Sequence, residues 1–310
     1  MRKLISIVTP CFNEEGNVEE VVREVRNVFS KLPDYDYEHI FIDNDSTDST
    51  QSKLRALAAN DSKIKLIFNN RNFGHIRSPF HGLLQASGDA VILLVADLQD
   101  PPNLIVDFLE KWQKGFKVVL GVKNESEELV VMFTIRKAYY DFVSRVSDTQ
   151  LTKNNTGFGL YDKDVIECLK KIDDPYPYFR GLISELGFST AKIPYIQPAR
   201  KRGVTSNNFY RLYDIAMLGI TSHSKVPLRI ATMAGFALSF FSLITAFIYL
   251  ILKLIFWNQF QLGLAPLLIG VFFFMSVQLF FIGIMGEYIG FIHTQVMKRP
   301  RVIEKERINF

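Results

Sequence analysis

Short apolar runs alternate with helical patterns along the first two thirds of the chain. Leu4–Thr9 is an uninterrupted strand pattern, and Val18, Val21, Val22, Val25, Val28 and Phe29 then recur at helical spacing. Ile40–Ile42, Ile64–Phe68 and the fully apolar Ala90–Val95 predict further strands; Ser49–Ala59, a segment around Pro79–Ala86 and Lys163–Lys171 predict helices. Strands this hydrophobic are buried on both faces. The pattern therefore predicts an α/β fold with a mostly parallel sheet covered by helices on each side. In such sheets ligands bind beyond the carboxyl ends of the strands.

The pattern changes near residue 229. Ile230–Leu252 (23 residues) and Leu262–Gly286 (25 residues) hold no charged side chain, and about 20 apolar residues suffice to span a bilayer. Lys253–Gln261 between them is too short for a domain, so the two segments predict a transmembrane hairpin. Asn208–Leu218, with Tyr210 and Tyr213, reads as an amphipathic helix at the membrane surface. The expected organisation is a domain over 1–205, surface helices over 206–229, the hairpin over 230–292 (spans 230–252 and 262–286) and a basic cytoplasmic tail over 293–310. Lys225 and Arg229 precede the first span, and Lys298, Arg299, Arg301, Lys305 and Arg307 follow the second. The loop offers only Lys253, so the positive-inside rule places both termini and the folded domain in the cytoplasm.

Composition narrows the class. The chain is 48% apolar and 22% charged, which excludes wholesale disorder, and its 13% aromatic content, 27 of those residues Phe, suits lipid-facing segments. Two cysteines, Cys11 and Cys168, form no disulfide framework and point to a reducing compartment. The N-terminus runs straight into a strand without a cleavable signal pattern. A net charge of +4, without a basic tract interleaved with aromatics before the C-terminal third, argues against a nucleic-acid partner. The chain has no P-loop, no complete glycine fingerprint for dinucleotides, no nucleophile elbow and no zinc pattern among its five histidines. With two tryptophans, Trp112 and Trp257, it also lacks the Gln-x-x-Arg-Trp motif of processive polysaccharide synthases.

The residues after each strand carry the chemistry. Thr9-Pro10-Cys11-Phe12-Asn13-Glu14-Glu15 offers an apolar slot for a base (Pro10, Phe12) and a carboxylate for a ribose or base edge (Glu14); the plainer alternative is that Asn13 or Glu14 starts a helix. Asp43-Asn44-Asp45-Ser46-Thr47-Asp48 packs three carboxylates into six residues, more than one helix cap explains. After the fourth strand, Asp97 and Gln99 alternate along what reads as an extended segment, so both can converge on one hard cation. Asp100, followed by Pro101 and Pro102, reads as a helix cap.

Pro10-Cys11-Phe12-Asn13-Glu14, Asp43-Asn44-Asp45-Ser46, Arg71-Asn72-Phe73-Gly74 and Asp97-Leu98-Gln99-Asp100-Pro101, with Arg200-Lys201-Arg202-Gly203 and two C-terminal spans, resemble the family-2 glycosyltransferases of GT-A fold. The match is to their polyisoprenyl-phosphate branch, which includes dolichol-phosphate mannose synthase and the bactoprenol glucosyltransferases. The resemblance implies an inverting enzyme of the bacterial inner membrane. It would move one sugar from a nucleotide sugar, UDP-linked, to undecaprenyl phosphate at the cytoplasmic face, for cell-envelope polysaccharide or O-antigen modification. Pro10, Phe12, Glu14, Asp43, Asn44, Asp45, Asn72, Gly74 and Asp97 would hold the nucleotide sugar; Asp97 and Gln99 would hold Mg²⁺ or Mn²⁺. Arg200 and Arg202, with Lys137 and Arg145 as further candidates, would hold the acceptor phosphate; a solvated helix face is the plainer reading of the last two. Assembly as a tetramer through the spans is also implied. The alternatives are a GDP-mannose-dependent polyprenyl-phosphate mannose synthase and a catalytically silent binder of nucleotide sugar.

The sequence departs from that pattern at Val95, where an acid is usual, at Asn44, often a second acid, and near Gly157, where an Asp is expected. A lysine expected near Ser206 is absent, and His75 follows Gly74 where the motif has lysine. A phosphate monoester with a second pKa of about 6 is largely a dianion at neutral pH, so the acceptor needs no general base and the loss near Gly157 is tolerable. Asp162 could replace the missing acid but precedes a helical pattern, where capping is the expected job.

Overall fold

A computed structural model describes residues 2–123, 152, 155–198, 209–256 and 264–310. Its sheet has eight strands in the order β7-β5-β6-β4-β1-β2-β3-β8. The strands are β1 (Lys3–Cys11), β2 (Tyr35–Asp43), β3 (Ile64–Asn69), β4 (Ala90–Leu93), β5 (Val118–Lys123), β6 (Asn155–Asp162), β7 (Thr190–Tyr195) and β8 (Glu304–Ile308). β1 runs parallel to β2 and β4, β2 to β3, and β5 to β7; β6 lies antiparallel between β4 and β5. The sheet is mostly parallel and covered on both faces, as the apolar strands require.

The helices are α1 (Val18–Phe29), α2 (Thr50–Asn60), α3 (Gly74–Leu84), α4 (Leu104–Gln113), α5 (Lys163–Lys170) and α6 (Phe179–Glu185), then α7 (Phe209–His223), α8 (Val226–Ile255) and α9 (Leu264–Val296). The valine stripe of α1 is buried with Leu54 of α2 and Phe108 of α4 on one face of the sheet. Phe80 and Leu83 of α3, Val165 and Leu169 of α5 and Leu182 of α6 fill the other. Asp162 caps α5 by accepting the Asp164 N–H at 3.0 Å, and it also accepts from Trp112 Nε1 at 2.7 Å and Lys117 Nζ at 3.0 Å. With those partners it is a structural carboxylate.

α7 begins where the surface helix is expected. α8 and α9, of 30 and 33 residues, outrun the uncharged segments, so α8 takes in Arg229 and α9 takes in Glu287. Thirty residues give a helix about 45 Å long. Both helices are long and apolar enough to cross a membrane, and no residue of α8 is buried. Phe236 and Phe272 are 74% and 66% exposed, an apolar surface of the kind that meets a membrane or a protein partner.

The C-terminal segment is more than a tail. β8 pairs antiparallel with β3, which makes the last residues the edge of the sheet. Arg55 donates to both oxygens of Glu306 at 2.8 and 2.5 Å, Glu304 meets His81 at 2.5 Å, and Asn309 Nδ2 donates to the carbonyls of Ala58 and Ile64 at 2.9 and 2.8 Å. Arg301 Nε donates to Asp174 O at 2.7 Å and its guanidinium also reaches Ile172 O. The chain therefore leaves the domain, runs out and back through α8 and α9, and re-enters the same sheet.

Candidate active site

Three loops meet at the carboxyl end of the sheet, and each turns on a non-glycine residue in the left-handed region: Asn13 (φ 57°) after β1, Asp45 (φ 65°) after β2 and Leu98 (φ 55°) after β4. Asn and Asp accept that conformation readily; a leucine adopts it at a cost of order 1 kcal/mol, which its surroundings must enforce. The first two loops are stitched together. Asn13 N donates to Ser46 Oγ (2.9 Å), Thr47 N to Asn13 Oδ1 (2.8 Å), Glu14 N to Thr50 Oγ1 (2.8 Å) and Glu15 N to Asp48 Oδ2 (3.2 Å).

This network explains the three clustered carboxylates. Asp43 is fully buried and accepts from Ser46 Oγ at 2.5 Å, Ser46 N at 3.1 Å and Gln51 Nε2 at 2.7 Å; burial pushes its carboxyl up from the ordinary carboxylate value. A ligand reaches Asp43 only if Gln51 gives way. Asp48 accepts the N–H groups of Glu15 and Thr50, and Asp45, half-buried, is the left-handed residue of the turn. Glu14 is likewise engaged, taking Asn17 Nδ2 at 2.6 Å where α1 begins. Phe12, 44% exposed, stands at the loop surface.

Asn44 is a clip rather than a presented group. Its Nδ2 donates to Asn72 Oδ1 (2.9 Å) and Gly74 O (3.3 Å), and its Oδ1 accepts from Asn69 Nδ2 (3.0 Å) and Phe73 N (2.9 Å). Asn72 Oδ1 also accepts the Gly74 N–H at 2.8 Å, and Gly74 (φ 86°) opens α3 in a conformation that favours glycine. The Arg71–Gly74 loop is thus held to the end of β2 by one buried amide.

The segment after β4 does not run as an extended strand. β4 ends at Leu93, and residues 96–98 turn with Asp97 Oδ1 accepting the Gln99 N–H at 3.2 Å. Leu98's left-handed backbone breaks the alternation expected to make Asp97 and Gln99 converge; a tight turn instead ties the Asp97 carboxylate to the Gln99 backbone. Both are half-buried hard-oxygen donors. Among the described residues no group of three His, Cys, Asp or Glu side chains has metal-binding geometry, so a divalent ion here would draw its remaining ligands from substrate or water. Asp100 is no helix cap either: α4 starts only at Leu104, with Asn103 at its N-cap position, and Asp100 is 3% exposed, accepting from Tyr195 Oη. Burial pushes its carboxyl up to about 6.

Beside these loops, on the α3 side, lies a cleft of about 140 Å³ whose walls include Pro10, Ile76, Phe80, Val95 and Phe179, with His75, Thr156 and Arg180 adding polar groups. Val95 is a wall residue of this apolar cleft. The backbone at Gly157 (φ 95°) also suits glycine: its N–H meets Asn155 Oδ1 at 2.8 Å, and an aspartate there would be strained. Arg180, at the start of α6, is a cleft cation that no motif announced; the Pro175-Tyr176-Pro177-Tyr178 run that positions it is its one sequence signal. Arg200, Arg202, Lys137 and Arg145 lie outside the described residues.

Comparison with known proteins gives a consistent result. Residues 6–169 match Glycosyl transferase family 2. The chain is 35% identical over 303 residues to the SfII prophage-derived bactoprenol glucosyl transferase of Shigella flexneri, covering 97% of each chain. It is 34% identical to the prophage bactoprenol glucosyl transferase homolog of Escherichia coli (strain K12), covering 97% of this chain and 98% of that one. Among solved structures, glucosyl-3-phosphoglycerate synthase from Mycobacterium tuberculosis, in complex with Mn²⁺, UDP and phosphoglyceric acid, shares the fold with a TM-score of 0.52 at 20% identity, covering 71% of this chain and 76% of that one.

Proposed function

The chain belongs to glycosyl transferase family 2, and from that premise we propose that it is a membrane enzyme that moves one sugar from a UDP-sugar to undecaprenyl phosphate. The observation that carries the reading is the meeting of the Phe12, Asp45 and Asp97 loops at one sheet end, beside a cleft, in a domain whose chain runs out through two apolar helices and returns. The names of the relatives support the acceptor class. α8 and α9 cross the bacterial inner membrane as a hairpin and hold the cleft at the cytoplasmic face.

In this reading an oxygen of the lipid phosphate attacks the anomeric carbon from the face opposite the leaving group. The bond from that carbon to the diphosphate oxygen breaks, the nucleoside diphosphate departs with the electron pair, and the configuration inverts. The attacking dianion carries no proton to remove, so Gly157 in place of an acid costs the reaction nothing. Phe12 and Pro10 flank the base, Asp45 meets the ribose, and Asp43, Asn44, Asn72 and Gly74 shape the turns that receive the nucleotide, with Glu14 fixing the start of α1. Asp97 and Gln99 would hold Mg²⁺ or Mn²⁺, which supplies charge neutralisation on the leaving diphosphate. Arg200 and Arg202, with Lys137, Arg145 and the cleft residue Arg180, would face the acceptor phosphate.

The test is transfer of radiolabelled sugar from a panel of UDP- and GDP-sugars to undecaprenyl phosphate by the purified protein with Mn²⁺ or Mg²⁺. Labelled lipid from one UDP-sugar is expected, and from GDP-mannose alone would instead identify a mannose synthase. Asp97→Asn keeps the carbonyl that accepts the Gln99 N–H, so it should fold normally and lose transfer; wild-type rates would sink the metal assignment. A silent nucleotide-sugar binder, favoured by Val95 in an apolar wall, would bind donor and give no product with any of them.

A further inference from the structure

A second pocket lies away from the strand-end cleft, where the catalytic domain meets the end of α9. It encloses about 300 Å³ and is lined by Arg77, Tyr176, His293, Thr294, Met297 and Arg299. Two guanidinium groups therefore share one hollow. Among the described residues neither has a carboxylate within ion-pair distance. Arg77 Nε donates to Phe73 O at 3.2 Å, and burial, then the neighbouring Arg71, hold its guanidinium below its ordinary value. The nearest acid with printed partners is engaged elsewhere: Asp174 accepts from Gln295 Nε2 and Tyr176 N, each at 2.8 Å.

The pocket is braced. Arg301 binds the carbonyl of Asp174 at 2.7 Å, which ties the wall carrying Tyr176 to the segment that follows α9. Immediately before it on α9, Ile289, Ile292 and Val296 are 61%, 57% and 71% exposed, so the hollow sits where the apolar helix surface ends.

We infer that this pocket binds the phosphate headgroup of an anionic membrane lipid and so seats the catalytic domain on the bilayer surface. Arginine forks suit phosphate oxygens, and Met297 offers an apolar contact for the start of an acyl chain. Basic pockets at the cytoplasmic end of a membrane helix lie at headgroup depth. The site is separate from the cleft yet shares α3 with it: Ile76 lines the cleft and Arg77 the pocket. The inference rests on the proposed crossing of the bilayer by α8 and α9.

The experiment is native mass spectrometry of the full chain in detergent micelles, titrated with phosphatidylglycerol or phosphatidylcholine. Wild type should retain phosphatidylglycerol preferentially. Arg299→Gln should weaken that retention about fivefold, and Arg77→Gln with Arg299→Gln by the product of two such steps. Arg299 is exposed and makes no described contact, so R299Q keeps the wild-type melting temperature and isolates binding from folding. Equal retention of the two lipids, or retention unchanged in R299Q and the double variant, overturns the inference. Displacement of the lipid by millimolar inorganic phosphate overturns it too, because the site would then take the free ion. Alkaline carbonate extraction of the source membranes separates the two readings. Release of the chain into the soluble fraction refutes the bilayer crossing, whereas a retained chain without lipid preference refutes only the headgroup site.

Discussion

Asn44→Asp puts a carboxylate where the resemblance to family-2 glycosyltransferases leads one to expect an acid, and the structure says that this chain will not tolerate it. Asn44 is 7% exposed and uses its whole hydrogen-bonding capacity: two N–H donors toward Asn72 Oδ1 and Gly74 O, and a carbonyl shared by Asn69 and Phe73 N. An ionised aspartate keeps the two accepted bonds and turns the two donated ones into oxygen facing oxygen. Rotating the Asn72 amide to meet it would take Oδ1 away from the Gly74 N–H, so one defect replaces another. Two lost bonds at about 1 kcal/mol each, and about 1 kcal/mol more for a carboxylate without a compensating donor, give a loss of about 3 kcal/mol. For a domain of this size that lowers Tm by about 6–12 °C. Thermal melts followed by intrinsic fluorescence at pH 7.5 should show the drop, together with weaker protection by nucleotide, because the Arg71–Gly74 loop loses its clip. Part of the loss should return at pH 5, where the variant's carboxyl, once protonated, regains one donor. A melting temperature within about 2 °C of wild type at pH 7.5 would refute the view of Asn44 as a buried clip.

Three further outcomes test the rest of the domain. Asp100, with its folded pKa raised to about 6 against an ordinary value near 3.9, binds its proton more tightly in the folded state; its stabilisation is complete below pH 4 and is lost as pH rises through 6, a decline of order 3 kcal/mol that Asp100→Asn should abolish in melts taken across that range. The half-exposed Arg55–Glu306 pair is screened by solvent and should contribute little, so Glu306→Gln should shift Tm by no more than a few degrees. Deleting residues 301–310 should lower Tm far more, since it strips β8 from the edge of β3 and frees the carbonyls held by Arg301 and Asn309.

How much of this was legible in the sequence follows from how each element is buried. β1 to β4 lie in the middle of the sheet and carry apolar residues on both faces, so composition alone marks them. β7 and β8 lie at the two edges, with exposed positions alternating along each, and β8 bears Glu304, Lys305, Glu306 and Arg307 in a row. A run that polar reads as a tail, and only its pairing with β3 makes it a strand. The motif residues do gather at one sheet end, as the parallel pattern implies. Which of them face a ligand was not legible, because their partners come from distant positions: Ser46 for Asn13, Asn72 for Asn44, Tyr195 for Asp100. The expected alternation of Asp97 and Gln99 failed at Leu98, a residue type that gives no warning of a left-handed turn.

The same distinction bears on the positions where an acid is missing. Read along the chain, Val95 and Gly157 are two lost carboxylates. In the fold, Val95 belongs to a wall with Ile76, Phe80 and Phe179, and Gly157 has a backbone conformation that an aspartate would strain, so both positions are built for what stands there. A carboxylate at Val95 would be desolvated beside those rings and would repel an approaching phosphate, whereas the present cleft offers such a group Arg180. In the proposed reaction, removing negative charge from the path of an acceptor that arrives already ionised lowers the work of bringing it to the sugar, and the cost would fall on a divalent cation, which would have Asp97 and Gln99 as its protein ligands. Under the proposed reaction this site gives up some of its hold on the cation and gains access for an anionic nucleophile, so its rate should depend more steeply on divalent-ion concentration than on pH above the second ionisation of the acceptor phosphate.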